Sequence, residues 1–535
     1  MPRMTIDHRP IDVPAGSTIL AAAHSLGIDI PALCYLEGLE PATACMLCVV
    51  KVKGRGGLLP ACATPVADGM EVESETDEVR DIRKTGLELL LTDHVGDCIA
   101  PCQSACPVHM DVPQMLRQVA AGEWDAALVT VRDEIALPAT LAHLCHEPCE
   151  RACRRRDLDE AASICQIKRL VAERDLERST TYLPPCKPAT GKRVAIVGSG
   201  AAGLAAAYHL QLMGHACTLF EQREKAGGTL RVEVEAGRLP GEVLDGEIAI
   251  IERLGAAFRT RTTIGQDLSL EALRQPFDVV LVAVGAIQAG AANLFGLPVE
   301  SDRLVIDRAT HATELPGVFA AGKVVQPGAQ VVRSVAQGKA AALGIDQYLA
   351  GVPVTGAAKA FVFRAGRPGE DTLQAMAADA SPASRAAPEH AGARLSEDQA
   401  RAEALRCLHC DCGKQATCKL RHYAQAYGAD PARYRGEHRR FERHLQQGDV
   451  VYEPGKCILC GLCVRIATQA GEPLGLTFVG RGFDMRVGVP FDHSIGEGLT
   501  IAARRCAEAC PTGALTLRAG RFTCGAGCKD CRGNR

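Results

Sequence analysis

Cysteines are the residues whose spacing in this sequence most clearly indicates chemistry. The chain has 25 of them in 535 residues, and most stand in C-x2-C or C-x3-C pairs, a spacing typical of metal and iron–sulfur ligands. Disulfides belong mainly to small secreted chains, and the first residues, MPRMTIDHRPIDVPAG, lack the apolar core of a signal peptide. We therefore interpret the cysteines as metal ligands in a reducing compartment and expect a cytoplasmic protein.

Composition and charge exclude several classes of protein. Apolar residues make up 47% of the chain and the net charge is −3, so the chain can bury several cores, while nothing forms the basic stripe of a nucleic-acid-binding protein. Val194–Gly214 and Val279–Val299 contain no charged residue. Each stretch is long enough to be considered as a membrane span. Both are rich in glycine, so we interpret them as buried strand–turn–helix segments and expect no membrane span.

The first cysteine group, C-x10-C-x2-C-x13-C, combines a tight pair with two outlying cysteines, as a loop wrapped around a small cluster requires. Zinc is the alternative, although zinc sites usually show two tight pairs. The stretches VPAGSTILAAA, IDIPALCY, ACMLCVVKV, LPACATPVADGM and RKTGLELLLTDH resemble the 2Fe-2S domain of the large iron–sulfur subunit of respiratory complex I and of related hydrogenase subunits. Met46 stands where that family usually has Arg. The ligands implied by the resemblance are Cys34, Cys45, Cys48 and Cys62.

A second group of candidate ligands begins at DHVGDC, which looks like the start of the one-histidine, three-cysteine cluster site that follows the 2Fe-2S domain in that family. CQSACPVHMDVPQMLRQVAAGEWDAAL and LCHEPCERAC then resemble the N-terminal domain of the glutamate synthase small subunit and of dihydropyrimidine dehydrogenase. There, two 4Fe-4S clusters share ligands from interleaved cysteine groups. The resemblance implies one cluster on His94, Cys98, Cys102 and Cys153, and another on Cys106, Cys145, Cys149 and Cys165.

Two of these assignments have alternatives. His94 is either a cluster ligand or a solvent-facing loop histidine. In SICQIKRLV the family's Gln or Glu ligand corresponds to Cys165 or Gln166, and we favour Cys165 because a thiolate is the better iron ligand.

A dinucleotide-binding fingerprint follows in KRVAIVGSGAAGLAAAYHL, which reads as a strand, the motif Gly198-x-Gly200-x-x-Gly203 and a helix. The first Gly permits the tight turn, the second admits a pyrophosphate, and the third lets helix and strand pack. Glu221 ends the next strand, ACTLFE, where it can bind a ribose hydroxyl.

The glutamate-synthase-like resemblance continues through KAGGTLRVEVEAGRLPGEVLDGEI, FDVVLVAVGA and ELPGVFAAGKVV, and it implies FAD at Gly228, Gly285 and Gly322. Lys323 replaces the Asp that binds the ribityl chain in that family. Such flavoproteins also insert a nicotinamide-binding unit before the last strand, but here only about thirty residues separate Gly285 from Gly317, roughly the length of a single βαβ unit. We therefore expect no NAD(P)H binding of the usual kind.

The C-terminal third contains two more cysteine groups. RCLHCDCGKQATC suits a compact 4Fe-4S site, with zinc as the alternative, on Cys407, Cys410, Cys412 and Cys418. GKCILCGLCVRIATQAGEPLGLTFVGRGFD and CAEACPTGAL resemble the two-cluster ferredoxin fold, but Ala467, Thr500 and Ala503 replace cysteines. One cluster is therefore expected, on Cys457, Cys460, Cys463 and Cys510. The remaining Cys506, Cys524, Cys528 and Cys531 suit either a further centre or a loose reactive tail, and Cys186 and Cys217 have no partners.

These patterns predict a multidomain α/β and α+β chain. We expect a β-grasp 2Fe-2S domain (1–90), a helical domain with two 4Fe-4S clusters (91–188), a Rossmann-like FAD domain (189–355), an Ala- and Pro-rich linker (356–400), a helical Cys-rich segment (401–445) and a 4Fe-4S ferredoxin-like domain with a Cys-rich tail (446–535).

The predicted function is electron transfer. We expect FAD, one 2Fe-2S and three to five 4Fe-4S clusters in a soluble subunit of a larger oxidoreductase, with no catalytic acid, base or nucleophile. The resemblance implies partners of two kinds: a formate dehydrogenase or hydrogenase subunit, and a complex-I-like NADH-oxidising flavoprotein. The alternatives are a stand-alone NAD(P)H oxidoreductase of glutamate synthase small-subunit type and a scaffold without redox activity.

Overall fold

The computed structural model describes residues 1–288, 293–390, 392–434, 436, 441–445 and 450–517. Cys524, Cys528 and Cys531 lie outside these ranges. The chain divides into two compact units: unit 1 comprises 1–99, 360–379 and 409–535, and unit 2 comprises 100–359 and 380–408. In the described part of the chain, no helix is both long and apolar enough to cross a membrane.

The first segment of unit 1 contains five strands and two helices: β1 (Arg3–Ile6), β2 (Arg9–Asp12), α1 (Ile19–Ser25), β3 (Val49–Val52), β4 (Leu58–Pro60), β5 (Glu71–Glu73) and α2 (Asp77–Thr92). The strands form one mixed sheet in the order β2-β1-β5-β3-β4, in which only β1 and β5 are parallel. The hydroxyl of Thr18 caps α1 by accepting a hydrogen bond from the Ala21 amide, which fixes the start of the helix at Ile19.

The long segment of unit 2 is helical first and then alternates strands with helices. Its elements are α3 (Pro101–Ala105), α4 (Val112–Ala120), α5 (Trp124–Arg132), α6 (Pro138–Leu144), α7 (Pro148–Arg151), α8 (Ile164–Leu176), β6 (Arg193–Val197), α9 (Ala201–Leu212), β7 (Ala216–Phe220), α10 (Leu230–Glu235), α11 (Gly241–Arg253), β8 (Ala257–Arg259), α12 (Leu270–Arg274), β9 (Val279–Val282), β10 (Asn293–Leu294), β11 (Leu297–Glu300), β12 (Arg303–Leu304), β13 (Val318–Ala320) and α13 (Val331–Leu349).

The remaining elements complete both units. Unit 2 ends with α15 (Glu397–Ala404). Unit 1 contains α14 (Glu370–Ala377), α16 (Lys419–Ala426), β14 (His444–Leu445), β15 (Val450–Tyr452), α17 (Leu462–Ala470), β16 (Thr477–Val479), β17 (Arg486–Gly488), α18 (Ile495–Gly498), α19 (Ala503–Ala509) and β18 (Leu515–Leu517). Short 3-10 turns lie at Arg154–Asp157, Gly322–Val324, Pro454–Lys456, Gly482–Asp484 and Pro490–Asp492.

A parallel sheet organises the second half of unit 2. Its order is β13-β9-β6-β7-β8, and every neighbouring pair is parallel. The register aligns Val197 with Phe220 and with Val282, and Val282 with Ala320. The carboxyl ends of four adjacent strands therefore meet at one edge, which is where doubly wound folds bind ligands.

Buried charges join the helical and the sheet-containing parts of unit 2. The carboxylate of Glu247 on α11 accepts hydrogen bonds from the amides of Ala139 (2.8 Å) and Thr140 (2.9 Å) at the start of α6. The same carboxylate lies 3.8 Å from the guanidinium of Arg132, and both side chains of this ion pair are fully buried. These contacts at a helix N-terminus fix α6 against α11.

One apolar core in unit 1 contains residues from both ends of the chain. Leu33, Leu87 and Leu91 pack in the same cluster as Leu420 and Ile466. Residues that are separated by more than three hundred positions in sequence therefore stabilise one another, and unit 1 is a single structure built from three separate segments.

The stretch predicted as a linker, 356–400, contains the helix α14 and the start of α15 and makes contacts within both units. Within unit 1, the amide of Ala365 donates to Asp97 (2.8 Å). Within unit 2, Arg385 donates to Ser163 (2.8 Å) and Arg394 forms an ion pair with Glu177. The Ala- and Pro-rich composition suggested a linker, but its arginines and backbone amides have acidic and hydroxyl partners that local composition does not reveal.

Candidate iron–sulfur and dinucleotide sites

The four cysteines predicted for the 2Fe-2S cluster lie together as two pairs. The Sγ atoms of Cys34 and Cys45 are 3.4 Å apart, Cys48 and Cys62 form a second hydrogen-bonded pair, and all four are at most 8% exposed. Two sulfurs bound by one tetrahedral metal ion at about 2.3 Å lie about 3.8 Å apart. Among the described residues, three ligand atoms come within 4.8 Å of one another only at Glu147, Glu150 and Cys165. The group therefore fits two irons better than one zinc.

Each pair shares a proton between its sulfurs. The hydrogen bond from Cys34 lowers the pKa of Cys45 to about 6, although burial opposes the shift, and backbone groups of Leu47 and Leu33 stabilise the same thiolate. The pKa of Cys34 is correspondingly raised by that bond and by burial. Iron binding to the pair releases this shared proton.

His94 and Cys98 lie in unit 1, whereas Cys102 and Cys153 lie in unit 2. The ring of His94 is half-buried and stacks edge-on against Phe363 at 5.0 Å between centroids. Burial and the ammonium of Lys456 lower the pKa of His94 to about 4, so the ring is neutral and competent to bind a metal. The cluster predicted on these four ligands remains a prediction.

Cys106, Cys145, Cys149 and Cys165 line one cavity in unit 2. Lys168, one helical turn after Cys165 on α8, lines the same cavity and is 5% exposed. A buried cation beside four thiols offsets the charge of thiolates and favours their ionised form. The side-chain oxygen of Gln166 is buried without a hydrogen bond from any described residue, but Cys165 lines the cavity, so the geometry favours Cys165 as the fourth ligand.

Glu150 lies close to this cavity, and its contacts are structural. It accepts a hydrogen bond from the Cys165 amide (2.8 Å) and one from Arg385 (2.5 Å). Its carboxylate thus fixes the start of α8, where Cys165 is the second residue.

The Cys407 group is divided between the units. Cys407 lies in unit 2, where the carbonyl of Arg406 accepts a hydrogen bond from Arg155 (2.6 Å), two residues after Cys153. Cys410, Cys412 and Cys418 lie in unit 1. A single site on all four cysteines therefore remains a prediction.

The cysteines of the predicted ferredoxin-like site, Cys457, Cys460, Cys463 and Cys510, line one cavity in unit 1. The amide of Leu459, held at φ 54°, donates to the Cys457 sulfur at 3.4 Å, the kind of bond that stabilises a ligating thiolate. The Cys506 sulfur is fully buried and points at the Cys463 carbonyl (3.6 Å). Cys506 is therefore a core residue in this structure, and the three tail cysteines predicted as its partners lie outside the described residues.

A carboxylate anchors the loop in which the sequence predicts the missing ligands of a second ferredoxin cluster. Ala467 is fully buried in the apolar core. Glu472 accepts hydrogen bonds from the amide and hydroxyl of Thr500 (3.0 and 2.8 Å) and from the amides of Ile501 and Ala502 (both 2.7 Å). The loop that ligands would otherwise anchor is thus held by one side chain.

Arg465 on α17 links two of the cysteine groups. One terminal nitrogen of its guanidinium donates to the carbonyls of Cys34 and Cys460, both at 3.1 Å. Its other terminal nitrogen donates to the carbonyl of Glu40. The loop carrying the first 2Fe-2S cysteine and the loop carrying the ferredoxin-like cysteines are therefore neighbours.

The three fingerprint glycines have distinct structural roles at the edge of the parallel sheet. Gly198 has φ 102°, and a side chain there would meet the Ala283 carbonyl at 2.5 Å. A Cβ on Gly203 would lie 2.0 Å from the Gly198 carbonyl, whereas Gly200, at the N-terminus of α9, faces open space. The space at Gly200 and the helix N-terminus behind it fit a pyrophosphate.

The other predicted dinucleotide residues follow the same strand ends. Glu221 comes directly after β7, and its buried carboxylate accepts hydrogen bonds from Ser199 (Oγ, 2.5 Å) and Arg223 (amide, 3.0 Å). A Cβ on Gly228 would approach Gly200 to 2.9 Å, Gly285 faces open space, and Gly322 packs against Ala202. The structure therefore brings these residues to one edge. Lys323 lies beside them in the 3-10 turn Gly322–Val324.

The stretch between β9 and β13 contains the small antiparallel sheet β10-β11-β12. Its described residues, 283–288 and 293–317, include no helix. A second Rossmann unit needs a crossover helix, so none is formed by these residues.

Sequence reasoning missed the basic residues around the cysteines. Lys168, Lys414 and Lys456 are each at most 5% exposed. Each stands one to three residues from a cysteine in sequence, and such a lysine next to a cysteine motif was the available signal.

Comparison with known proteins places three family models along the chain. Residues 3–77 match a 2Fe-2S iron-sulfur cluster binding domain. Residues 94–180 match dihydropyrimidine dehydrogenase domain II, 4Fe-4S cluster, and residues 196–260 match an NAD(P)-binding Rossmann-like domain. These matches confirm the predicted resemblances over those ranges.

Curated relatives match part of the chain. The NADPH-Fe(3+) oxidoreductase subunit beta of Geobacter sulfurreducens is 31% identical over 303 residues, 49% of this chain and 45% of that protein. The NADP(+)-dependent formate dehydrogenase subunit beta of Moorella thermoacetica is 35% identical over 207 residues, 35% of this chain and 29% of that protein. The glutamate synthase [NADPH] small chain of Bacillus subtilis is 32% identical over 220 residues, 41% of this chain and 45% of that protein.

This chain spans less than half the length of each of these three relatives. A solved NAD+-reducing [NiFe]-hydrogenase overlaps 98% of this chain and 90% of its own, with a TM-score of 0.35 at 14% identity, which is too low to support an argument. The chain therefore joins a 2Fe-2S domain, a 4Fe-4S domain of the dihydropyrimidine dehydrogenase type and a Rossmann-like domain, and it is similar to subunits of oxidoreductases.

Proposed function

We propose that this chain is an FAD- and iron–sulfur-containing electron-transfer subunit of a multi-subunit oxidoreductase. FAD, when bound, supplies the exchange between two-electron and one-electron chemistry, and iron–sulfur clusters carry single electrons. The protein's own residues hold these groups at fixed spacing, exclude water from them and set the charge around them.

The observation that carries this proposal is the contact made by Arg465. Because its guanidinium donates to the carbonyls of both Cys34 and Cys460, the 2Fe-2S ligand loop and the ferredoxin-like ligand loop are held side by side. Adjacent centres on one rigid scaffold suit electron transfer, whereas a purely structural metal site needs no such neighbour.

The clusters themselves follow from the cysteine groups. Unit 1 supplies the paired cysteines Cys34/Cys45 and Cys48/Cys62 and the cavity of Cys457, Cys460, Cys463 and Cys510. Unit 2 supplies the cavity of Cys106, Cys145, Cys149 and Cys165 with the Lys168 cation. We propose one 2Fe-2S cluster and three to five 4Fe-4S clusters on these and the other predicted ligands.

FAD is the dinucleotide that we propose for the Rossmann-like domain. The glycine positions at the sheet edge admit a pyrophosphate, and Glu221 follows the second strand as a ribose-binding acid does. The three-stranded insertion after β9 leaves one dinucleotide unit among the described residues. A single unit suits a permanently bound flavin, whose electrons leave through clusters.

An alternative is favoured by the match of residues 196–260 to an NAD(P)-binding model. On this alternative, the same edge binds NAD(P)H, and the chain is a stand-alone oxidoreductase of the glutamate synthase small-subunit type. The two proposals differ in what the purified chain contains and in what reduces it.

An anaerobic titration of the purified chain separates them. We expect a bound flavin that resists NADH and NADPH and is bleached by dithionite. Rapid bleaching by either nicotinamide would overturn the relay in favour of the stand-alone enzyme, and a chain without flavin would overturn the FAD assignment. In any experiment that replaces a predicted cysteine ligand, Cys186→Ser is a suitable control variant, because Cys186 is exposed and has no predicted ligand role.

We also propose the finer domain labels: a β-grasp 2Fe-2S domain over 1–90, a helical double-cluster domain over 91–188, an FAD domain over 189–355, a Cys-rich segment over 401–445 and a ferredoxin-like domain over 446–535. The proposed partners are a formate dehydrogenase or hydrogenase subunit and a complex-I-like NADH-oxidising flavoprotein, in the cytoplasm. Affinity purification from the native host under anaerobic conditions tests them, since recovery of the chain without any redox subunit contradicts this proposal.

A further inference from the structure

We infer that Cys98, Cys412 and Cys418 bind one iron–sulfur centre in unit 1, with His94 as its fourth ligand. The sequence had assigned Cys98 to a site with Cys102, and Cys412 to a site with Cys407. The inferred centre adds a site to the proposed relay, but its test counts iron and is independent of whether the relay operates.

Backbone contacts bring Cys98 and Cys412 together. The amide of Cys412 donates to the Cys98 carbonyl at 3.3 Å, and both cysteines are buried, at 6–8% exposure. The amide of Phe363 donates to the Cys98 sulfur at 3.4 Å. A sulfur that accepts a backbone N–H is stabilised as a thiolate, as cluster ligands are.

Cys418 lies against the same segment from the other direction. The amide of Arg421 donates to the Cys418 sulfur (3.4 Å), and the Arg421 guanidinium donates to the Phe361 carbonyl (2.7 Å). Phe361 is two residues from Phe363, the donor to Cys98. The segment 361–363 therefore donates to the Cys98 sulfur directly and also binds Arg421, whose amide donates to the Cys418 sulfur.

Lys456 runs between Cys412 and the loop that carries His94 and Cys98. A Cβ on Gly513 would lie 2.2 Å from the Cys412 sulfur and 3.7 Å from Cδ of Lys456, and a Cβ on Gly96 would lie 2.8 Å from Cε of Lys456. Glycine at both positions therefore provides the space that the sulfur and the lysine occupy.

His94 is the fourth group around this space. Its ring rests on Phe363 and makes no hydrogen bond that the described part of the chain supplies. A half-buried imidazole without a hydrogen-bond partner has a nitrogen available for a metal.

Buried positive charge matches the charge of bound thiolates. Lys414 is 4% exposed, and its ammonium donates to the carbonyls of Glu508 (2.9 Å) and Cys510 (2.6 Å). No carboxylate of the described residues forms an ion pair with it. A buried cation requires a counter-charge, and the thiols of Cys412, Cys418 and Cys510 are the neighbouring groups that can supply it.

In this structure, no three of these ligand atoms lie within 4.8 Å of one another, which favours a polynuclear centre over a single metal ion. The one group of described residues with three ligand atoms within 4.8 Å of each other lies elsewhere, at Glu147, Glu150 and Cys165. The thiolates of a four-iron cluster are held farther apart than those of zinc, because each binds a different iron. The inferred centre is therefore polynuclear.

A double-mutant comparison of iron content tests the shared centre. In the anaerobically purified full-length chain, Cys98→Ala and Cys412→Ala are each expected to remove about four irons. The double variant is expected to remove the same four, because both residues serve one centre. A loss of about eight irons from the double variant would show two separate centres and overturn the inference.

The matched control combines Cys98→Ala with Cys457→Ala, which is expected to remove about eight irons. Circular dichroism and the 2Fe-2S signal show that the variants remain folded. A loss of only four irons in this control would also contradict the assignment, since Cys98 would then share the ferredoxin-like centre.

The fourth ligand has its own measurement, which does not depend on the cysteine variants folding. Pulsed EPR of the reduced chain is expected to show nitrogen coupling to one cluster in the wild type. In His94→Cys, the iron content is expected to be kept and this coupling lost. A coupling that persists in His94→Cys, or that is absent from the wild type, overturns ligation by His94.

Discussion

Replacing Glu472 with Gln is expected to destabilise the ferredoxin-like part of unit 1. The carboxylate accepts four hydrogen bonds at 2.7–3.0 Å, two on each oxygen. A glutamine has one acceptor oxygen, so two of the four bonds are lost and an N–H group is turned toward other N–H groups. A hydrogen bond to a charged group contributes about 1.5–3 kcal/mol. Because Glu472 is half-exposed, the lower value applies to each bond, and the expected loss is about 2–3 kcal/mol.

The effect should depend on pH in a defined direction. Burial opposes the shift, but the amides of Ala502, Ile501 and Thr500 and the Thr500 hydroxyl hold the pKa of Glu472 below its usual value. A carboxyl with a lowered pKa in the folded chain stabilises the fold above its unfolded pKa of about 4.3. That stabilisation disappears as the pH falls through the folded pKa. The difference between wild type and variant should therefore be full at neutral pH and shrink below about pH 4.

The assay is anaerobic denaturant unfolding of the whole chain, followed by loss of the EPR signal of the cluster proposed on Cys457, Cys460, Cys463 and Cys510. The matched control is Glu508→Gln on α19, an exposed carboxyl near the same loop. If Glu472→Gln unfolds at the same denaturant concentration as Glu508→Gln, the carboxylate does not hold the loop and the reasoning is refuted.

Three further changes act at other sites. Arg465→Met removes the donor to the carbonyls of Cys34 and Cys460 and is expected to lower the free energy of unfolding by about 2 kcal/mol. It should also weaken the magnetic coupling, measured by EPR, between the two reduced centres proposed on these cysteine groups. Unchanged coupling contradicts the relay geometry. Lys168→Met should make the potential of the centre proposed in its cavity about 90 mV more negative in a redox titration. A unit charge at a separation on the order of 8 Å and an effective dielectric constant of about 20 is worth about 2 kcal/mol. Gly203→Ala should yield protein without bound flavin, since its Cβ would lie 2.0 Å from a carbonyl oxygen, whereas Gly241→Ala, whose Cβ would meet its neighbour at 3.5 Å, should retain it.

Sites formed by residues that are close in sequence were predictable. The four cysteines Cys34, Cys45, Cys48 and Cys62 come from one stretch, and the glycines of the fingerprint follow one strand. In both cases the loop length and the strand register limit which side chains meet, and the family resemblance implies the same residues.

Groupings that depend on distant segments were not predictable. Cys98 and Cys412 are more than three hundred residues apart, yet their backbones are hydrogen-bonded. Local spacing indicates that a cysteine is a ligand but not which distant cysteine shares its metal. The same limitation explains the linker predicted over 356–400, where Arg385 and Arg394 find partners in the helical part of unit 2.

At the positions where the ferredoxin pattern lacks its cysteines, the sequence predicted the missing ligands but not what holds the loop instead. The sequence showed that Ala467, Thr500 and Ala503 could not hold a second ferredoxin cluster. It did not show that Glu472 takes over the anchoring of the loop, because a lone glutamate has no motif.

The discontinuity of unit 1 has a consequence for biosynthesis. Residues 1–99 are synthesised well before residues 409–517, but one of the two apolar cores to which they contribute also includes Leu420 and Ile466. Domains generally fold as they emerge during synthesis. Here residues 1–99 cannot complete unit 1 until residues 409–517 have been synthesised. During that interval the thiols of Cys34 and Cys45, which lie in this shared core, lack part of their protective packing. Cys48 and Cys62 lie in a core formed by residues 4–72 alone, and unit 2 is already nearly complete. Cluster loading of the nascent chain is thus expected to begin in the middle of the polypeptide, and premature termination near residue 408 should leave unit 2 competent to acquire its centre while the N-terminal segment stays vulnerable to oxygen.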